Sequence, residues 1–354
     1  MAARSSAPVL GALCGSSHPK TRTSGEDPAG PAVSDADRIT DSEVKEVRSG
    51  AWKAKPWVVS IGYRFQPSSR HFVGTVEQKQ REVLGNQIQN TYHLFDISVE
   101  RQVSKRFAVT TSMPILFAYR NQLYNPRGEY RVRSIGDITV GGRTWLFKPP
   151  TESGGNVALG LSLKLPTGKY NATGLATNAQ GQVIRATADQ SIQAGDGGTG
   201  FAFDLQAYRP FFFRTMLYFS SSYLFNPRDT NGVTTNRNRI TEQVMSVSDQ
   251  YLVRGGVSRA VPKVSGLFVT FGGRWEGVPV RDLLGKSNGF RRPGYAISGD
   301  PGFMYARWGY VFACSVPWAI ERNRRRSVSD IANRIHGDAA FADYTVALGV
   351  SKRF

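Results

Sequence analysis

The sequence is poor in the features that mark most protein classes. It holds two cysteines, Cys14 and Cys314, in 354 residues, so no disulfide framework is available. Its four histidines, His18, His71, His93 and His336, are dispersed without ligand spacing, and no metal site is predicted. No window carries about 18 consecutive apolar residues, which excludes a transmembrane helix. No Gly-x-Ser-x-Gly elbow occurs, so the common hydrolase signal is missing. Gly168-Lys169 fails as a phosphate loop, because Leu163 and Tyr170 stand where that loop needs Gly and Ser or Thr. The run Gly195–Gly200 precedes a strand pattern rather than a helix, the wrong context for a dinucleotide. Acidic residues are the scarce charge: 27 Asp+Glu stand against 45 Lys+Arg, a formal net charge of +18. The arginines are spread along the chain rather than gathered in a patch, which argues against nucleic acid. The expectation is a protein that is not an enzyme and carries no cofactor.

What is present is alternation. Residues 1–55 lack it: they are rich in Ser, Pro, Ala and mixed charge, and read as a flexible leader or linker. Their apolar patch, Ala7 to Cys14, is interrupted by Pro8 and Gly11 and makes an imperfect signal region. Gly11 stands where a lipobox before Cys14 wants Leu. Residues 56–354 read as one unit with a period of two. Trp57, Val59, Ile61, Tyr63 and Phe65 share one face, and Ser60, Gly62 and Arg64 the other. Val157, Leu159, Leu161, Leu163 and Leu165 repeat the pattern, as do Tyr344, Val346, Leu348 and Val350. Helical spacing is confined to 328–336.

The alternation predicts about twelve strands: 57–65, 90–102, 106–119, 134–148, 155–165, 200–210, 212–226, 247–260, 264–276, 299–307, 309–319 and 341–354. Most match the 9–11 residues of a tilted membrane-crossing strand. Connections alternate short and long. The short ones fall near Val103–Lys105, Pro149–Gly154, Phe211, Val261–Lys263 and Trp308; the long ones span 66–89, 120–133, 166–198, 227–246, 277–298 and 320–340. Short periplasmic turns and long external loops are the habit of outer-membrane barrels.

Charge parity points the same way. In the strands one face carries Asp96, Glu100, Asp137, Arg143, Lys164, Asp204, Arg214, Arg254 and Arg274, and the other is nearly free of charge. An Arg or Lys facing lipid at mid-depth would cost about 2–4 kcal/mol, so the charged face is assigned to the lumen. A soluble barrel would show the reverse. Trp57, Phe107, Tyr119, Tyr223, Phe225, Tyr251 and Trp275 sit near strand ends, as an interfacial girdle requires. The fold class expected is all-β, an antiparallel transmembrane β-barrel in a bacterial outer membrane.

Three segments carry a family resemblance. Gly136-Asp137-Ile138-Thr139-Val140-Gly141-Gly142 opens a strand, Leu163-Lys164-Leu165-Pro166-Thr167-Gly168 closes the next, and Gly195-Asp196-Gly197-Gly198-Thr199-Gly200-Phe201 precedes the one after. In this order and spacing the chain resembles the meta-pathway phenol-degradation family of transporter-like outer-membrane barrels. The resemblance covers roughly Trp57 to Phe354 and implies a role in moving small, often aromatic or hydrophobic compounds. The final strand, ending on Phe354, resembles the C-terminal signal read by the barrel assembly machinery, from which Lys352 departs. Each motif also has a plain reading as a turn or a bend in a curved wall.

The lumen charges have two readings: a salt-bridge lattice that stiffens the wall, or a selectivity zone. Two long loops supply mouth candidates. One carries Arg281, Asp282, Arg291 and Arg292 between Glu276 and Tyr295, and mixes apolar residues with Arg and Gly as a constriction would. The other carries Arg324 and Arg325 in the run Arg322–Arg326, a solvated charge run or a clamp for lipopolysaccharide phosphates or an anionic solute. Two functions follow as expectations: a passive channel or transporter for small compounds, or a non-transporting structural or adhesion barrel with a plugged lumen. The partners expected are outer-membrane lipid including lipopolysaccharide, the barrel assembly machinery and a small-molecule solute.

Overall fold

A computed structural model describes residues 56–354 except 124, 126–127, 148–153 and 213. The leader 1–55 and most of the turn at Pro149–Gly154 lie outside the described residues. Twelve strands close into one antiparallel barrel with almost no helix. They are β1 (Trp57–Val73), β2 (Asn90–Gln102), β3 (Phe107–Asn121), β4 (Glu129–Ile135 and Thr139–Trp145), β5 (Asn156–Lys164) and β6 (Gly200–Phe211). The circuit continues with β7 (Thr215–Phe225), β8 (Gln250–Ala260), β9 (Leu267–Val278) and β10 (Gly294–Gly299 and Gly302–Arg307). It ends with β11 (Tyr310–Ser315 and Trp318–Arg324) and β12 (Ala339–Ala342 and Val346–Arg353). Each strand pairs with its sequence neighbour, and β12 returns to β1 with Val58 opposite Arg353 and Phe65 opposite Val346. Closure leaves no edge along that seam.

The period of two decides which face is which. On β1, Ile61 points outward and is 47% exposed, while Gly62 and Arg64 point inward and are buried. The outward set continues through Val99, Val109, Leu161, Phe203, Val257, Phe271 and Leu348, all exposed on the outer wall. An apolar belt outside and charge inside is the arrangement a bilayer requires. Aromatic side chains flank the belt. On the long-loop side Tyr63, His93 and Tyr119 pack together, as do Tyr251, Trp275 and Tyr295, and Trp318 stacks on Tyr344. On the short-turn side Lys352 donates to Tyr310 Oη at 2.9 Å, with its ammonium over the rings of Tyr310 and Phe354. The lysine that interrupts the terminal apolar pattern is thus held at the interface by aromatic faces.

The wall differs from the expected strands at their outer ends. β1 runs on to Val73, β4 starts at Glu129, β10 starts at Gly294 and β11 reaches Arg324, so Arg322 and Arg324 belong to a strand and not to a loop. β9 likewise runs past its expected end at Glu276, to Val278. β4 breaks between Ile135 and Thr139, β10 at Asp300–Pro301 and β11 at Val316–Pro317, where proline has no N–H for the ladder. The loop 165–199 holds a hairpin, Thr173–Thr177 with Val183–Thr187, and the loop 226–249 holds a second pair, Thr230–Thr234 with Val244–Ser246. Within the helical stretch of sequence, Val328–Ala332 forms a short helix started by a Ser327–Asp330 capping box. Arg214 requires correction. It was assigned to a lumen face, but it lies exposed in the turn between β6 and β7 with φ 58°, because that reversal needs more than Phe211 alone.

Candidate functional site in the barrel lumen

Twelve strands enclose more space than eight, whose interior side chains just fill. Among the described residues two adjoining chambers line the lumen. The outer one, under the long loops, has a volume of about 490 Å³ and is lined among others by Arg64, Tyr92, Arg120, Glu276, Tyr251 and Arg292. The inner one, of about 170 Å³, is lined by Glu100, Arg143, Asp204, Gln206 and Ser220. Asp96, Ser112, Thr139, Ser222 and Leu252 line both, so the chambers share a waist.

Toward the short-turn end the interior changes character. Trp145, Ala158, Tyr208, Met216, Tyr218 and Met304 form one buried cluster, with Phe268 and Val311 packed against it. These residues come from β4 through β7 and from β9, β10 and β11, so the cluster lines the interior around most of the circuit. Trp145 and Tyr208 contact edge to face at 5.8 Å, and the Arg143 guanidinium lies 5.4 Å from the Trp145 ring centroid. Their burial makes this end the apolar, closely packed part of the interior.

The lumen charges are joined in pairs. Arg143 reaches both oxygens of Glu100 at 2.8 Å. Arg254 and the fully buried Asp300 pair at 2.5 Å. Glu276 lies between Arg274 at 2.7 Å and Arg64 at 3.2 Å. Asp96 accepts from Ser112 Oγ at 2.5 Å. Lys164 bonds Asp196 and lies 3.7 Å from Asp137. Asp204 lines the inner chamber. Three of these partners, Glu276, Asp300 and Asp196, were not among the sequence candidates, since they stand in or beside segments that read as loops.

The three glycine-rich motifs meet at the break in β4. Asp137 accepts from the Gly168 N–H at 2.9 Å and the Asp196 N–H at 3.2 Å. Thr167 Oγ1 accepts from Ile138 N at 2.8 Å and donates to Gly136 O at 3.1 Å. Chain packing there leaves no room for side chains. A Cβ on Gly168 would lie 2.8 Å from Gly136 C, and one on Gly195 would lie 2.7 Å from Gly168 O. These bonds satisfy backbone groups that the break in β4 takes out of the ladder.

Over the outer chamber the loops are tied down by ion pairs. Arg292 donates through both terminal nitrogens to Asp189 at 2.7 Å, and Arg120 approaches the same carboxylate at 3.4 Å. Burial would raise the Asp189 carboxyl, but Arg120 and Arg292 hold it well below its ordinary value. Arg291 and Asp282 form a buried two-point pair, with Arg291 also donating to Ser246 Oγ. Arg237 and Arg292 lie 3.8 and 4.6 Å from the centroid of the Phe290 ring. Asp338 contacts His71 at 3.0 Å and Arg81 at 2.6 Å. Burial opposes ionisation of Asp338, yet the His71 bond and the Arg81 charge lower it to about 2. Arg324 pairs with Asp330 at 2.9 Å, both side chains being almost wholly buried. Of the six mouth candidates, Arg281 and Arg325 are exposed, Arg291 and Arg292 line the outer chamber, and Asp282 and Arg324 serve as buried pair members.

No protein-family model and no curated protein matches the sequence. Solved structures do. The chain is similar to the COG4313 outer membrane channel from Pseudomonas putida F1, at 8% identity and a TM-score of 0.60, over 86% of this chain and 98% of that one. It also aligns with the beta domain of the Bordetella autotransporter BrkA (13% identity, TM-score 0.47, 85% and 99% covered). The Pseudomonas putida toluene transporter TodX aligns at 9% identity and a TM-score of 0.43, covering 86% and 91%. At such identities the likeness concerns the fold. An outer-membrane fold, an apolar outer belt and a charged interior together place this barrel in an outer membrane.

Proposed function

We propose that the chain is a passive outer-membrane channel for small compounds. The observation that carries this reading is the pair of adjoining chambers in the lumen, followed toward the short-turn end by apolar side chains of the wall itself. Rotamer changes at Trp145, Tyr208 and Met304 would connect the inner chamber to the periplasm without moving a domain. The similarity in fold to the COG4313 outer membrane channel supports a channel rather than an enzyme. The three converging motifs support the finer resemblance to the phenol-degradation family, and with it a small aromatic or hydrophobic solute. Tyrosines and leucines beside paired charges suit such a solute, since no lumen charge of one sign dominates. The selectivity residues in this reading are those at the waist and inner chamber: Asp96, Glu100, Arg143 and Asp204. Assembly would proceed through the last strand and Phe354, read by the barrel assembly machinery.

The ion-pair lattice and the aromatic cluster also favour a second reading, a sealed barrel with a structural or adhesive role. Proteoliposomes separate the two. A channel gives uptake of a small neutral aromatic solute above that of protein-free liposomes. A sealed barrel gives none.

A further inference from the structure

We propose that the outer wall of β4 and the adjoining hairpin form a binding surface for the phosphorylated headgroup of lipopolysaccharide, centred on Arg131, Arg133 and Arg185. On the upper half of β4, Tyr130 and Val132 turn inward, so Arg131 and Arg133 turn outward. Register sets Arg133 opposite Phe117 and Arg131 opposite Tyr119, at the level of the outer aromatic band where headgroups lie. The hairpin strand Thr173–Thr177 packs beside this half of β4, with Gly174 against the Tyr130 ring. Its partner strand brings Arg185 opposite Leu175 on the outward side. Two strand spacings, roughly 10 Å, then separate Arg185 from the β4 arginines.

All three arginines are exposed, the Arg131 side chain by 62%. Glu129 contacts Arg131 at 2.7 Å, and Arg185 donates to Thr173 Oγ1 at 3.0 Å. Among the described residues neither Arg133 nor Arg185 forms an ion pair. Exposed apolar side chains border the cluster: Ile135 below it, and Leu175 and Val183 on the Arg185 face of the hairpin. Three cations with one nearby carboxylate, above an apolar wall, match a lipid that has phosphates at the top and acyl chains beneath. On the outer wall of the β10–β11 side the exposed charge is instead acidic, Glu321, which accepts from Tyr295 Oη. In the run Arg322–Arg326, Arg322 and Arg324 are buried in pairs with Asp343 and Asp330, which leaves Arg325 and Arg326 as its exposed cations.

This inference rests on the outer-membrane location and not on the channel reading. The test uses the full chain purified in detergent, with bis-phosphorylated lipid A as the probe. The combined variant Arg131→Gln, Arg133→Gln, Arg185→Gln is expected to bind it at least tenfold more weakly than the parent, given about 1 kcal/mol per cation near an anionic surface. A control carrying Arg209→Gln and Arg259→Gln, exposed near the opposite rim, is expected to bind like the parent, as is the combined variant in its heat-modifiable gel shift. Dephosphorylated lipid A should bind parent and variant alike, and inorganic phosphate should not displace the lipid. Unchanged affinity in the combined variant would overturn the proposal. So would equal binding of the phosphorylated and dephosphorylated lipids by the parent.

Discussion

Glu276 holds two buried arginines, Arg274 and Arg64, and no apolar residue could replace it. Removing its charge leaves both guanidinium groups without that counter-ion, which costs about 3–5 kcal/mol. Glu276→Gln is therefore expected to lower the urea midpoint of the folded barrel in detergent, with Glu276→Asp partly restoring it. Asp338 gives a pH-dependent counterpart in the roof. Its carboxyl is lowered from 3.8 to about 2, so the stability it lends is complete above the unfolded value. That contribution is lost as pH falls through about 2. Protease nicking of the loop 325–338 should stay slow at pH 5 and rise below pH 3; equal rates at both would show that the His71–Asp338–Arg81 contact does not hold the roof. At this scale the sequence shows the inward face, because parity alone separates Arg143 or Arg254 from the lipid side. It does not show the partners. Arg64 meets Glu276 across 212 positions of chain and Arg292 meets Asp189 across 103, distances set by barrel closure and loop folding.

Among the elements, all twelve strands were legible, since lipid outside and polar groups inside impose a period of two on every crossing. Their outer ends were not. Above the membrane the strands lose the lipid contact that enforces alternation, so β1, β10 and β11 continue through segments that read as loops. The breaks in β10 and β11 carry a signal in Pro301 and Pro317, but alternation on both sides conceals it. The convergence of Gly136, Gly168 and Gly195 was hidden for another reason: each reads locally as a turn, and only register brings them together. That knot is testable. Gly168→Ala sets a methyl group against Gly136 and Asp137 backbone atoms at 2.8 and 2.9 Å. It is expected to cost about 1–3 kcal/mol, seen as a lower temperature of gel-mobility change. Gly273→Ala, exposed on β9 with no described atom within 4 Å of the added methyl group, should leave that temperature unaltered.

For the molecule as a whole, the scarcity of acid over base is not spread evenly. Inside, charge is balanced by Glu100, Glu276, Asp300 and Asp196 against their cations. The excess lies at the two rims, where lipid phosphates concentrate. An interior neutralised in this way limits charge selectivity, and the aromatic–methionine cluster limits size. Single-channel recording in planar bilayers tests this account most directly, comparing the parent with a Trp145→Ala, Met304→Ala variant that keeps its heat-modifiability. Small or intermittent conductance in the parent and a severalfold larger, steady conductance in the variant is the predicted result. Sealed membranes with both proteins, or identical conductance from both, would contradict it.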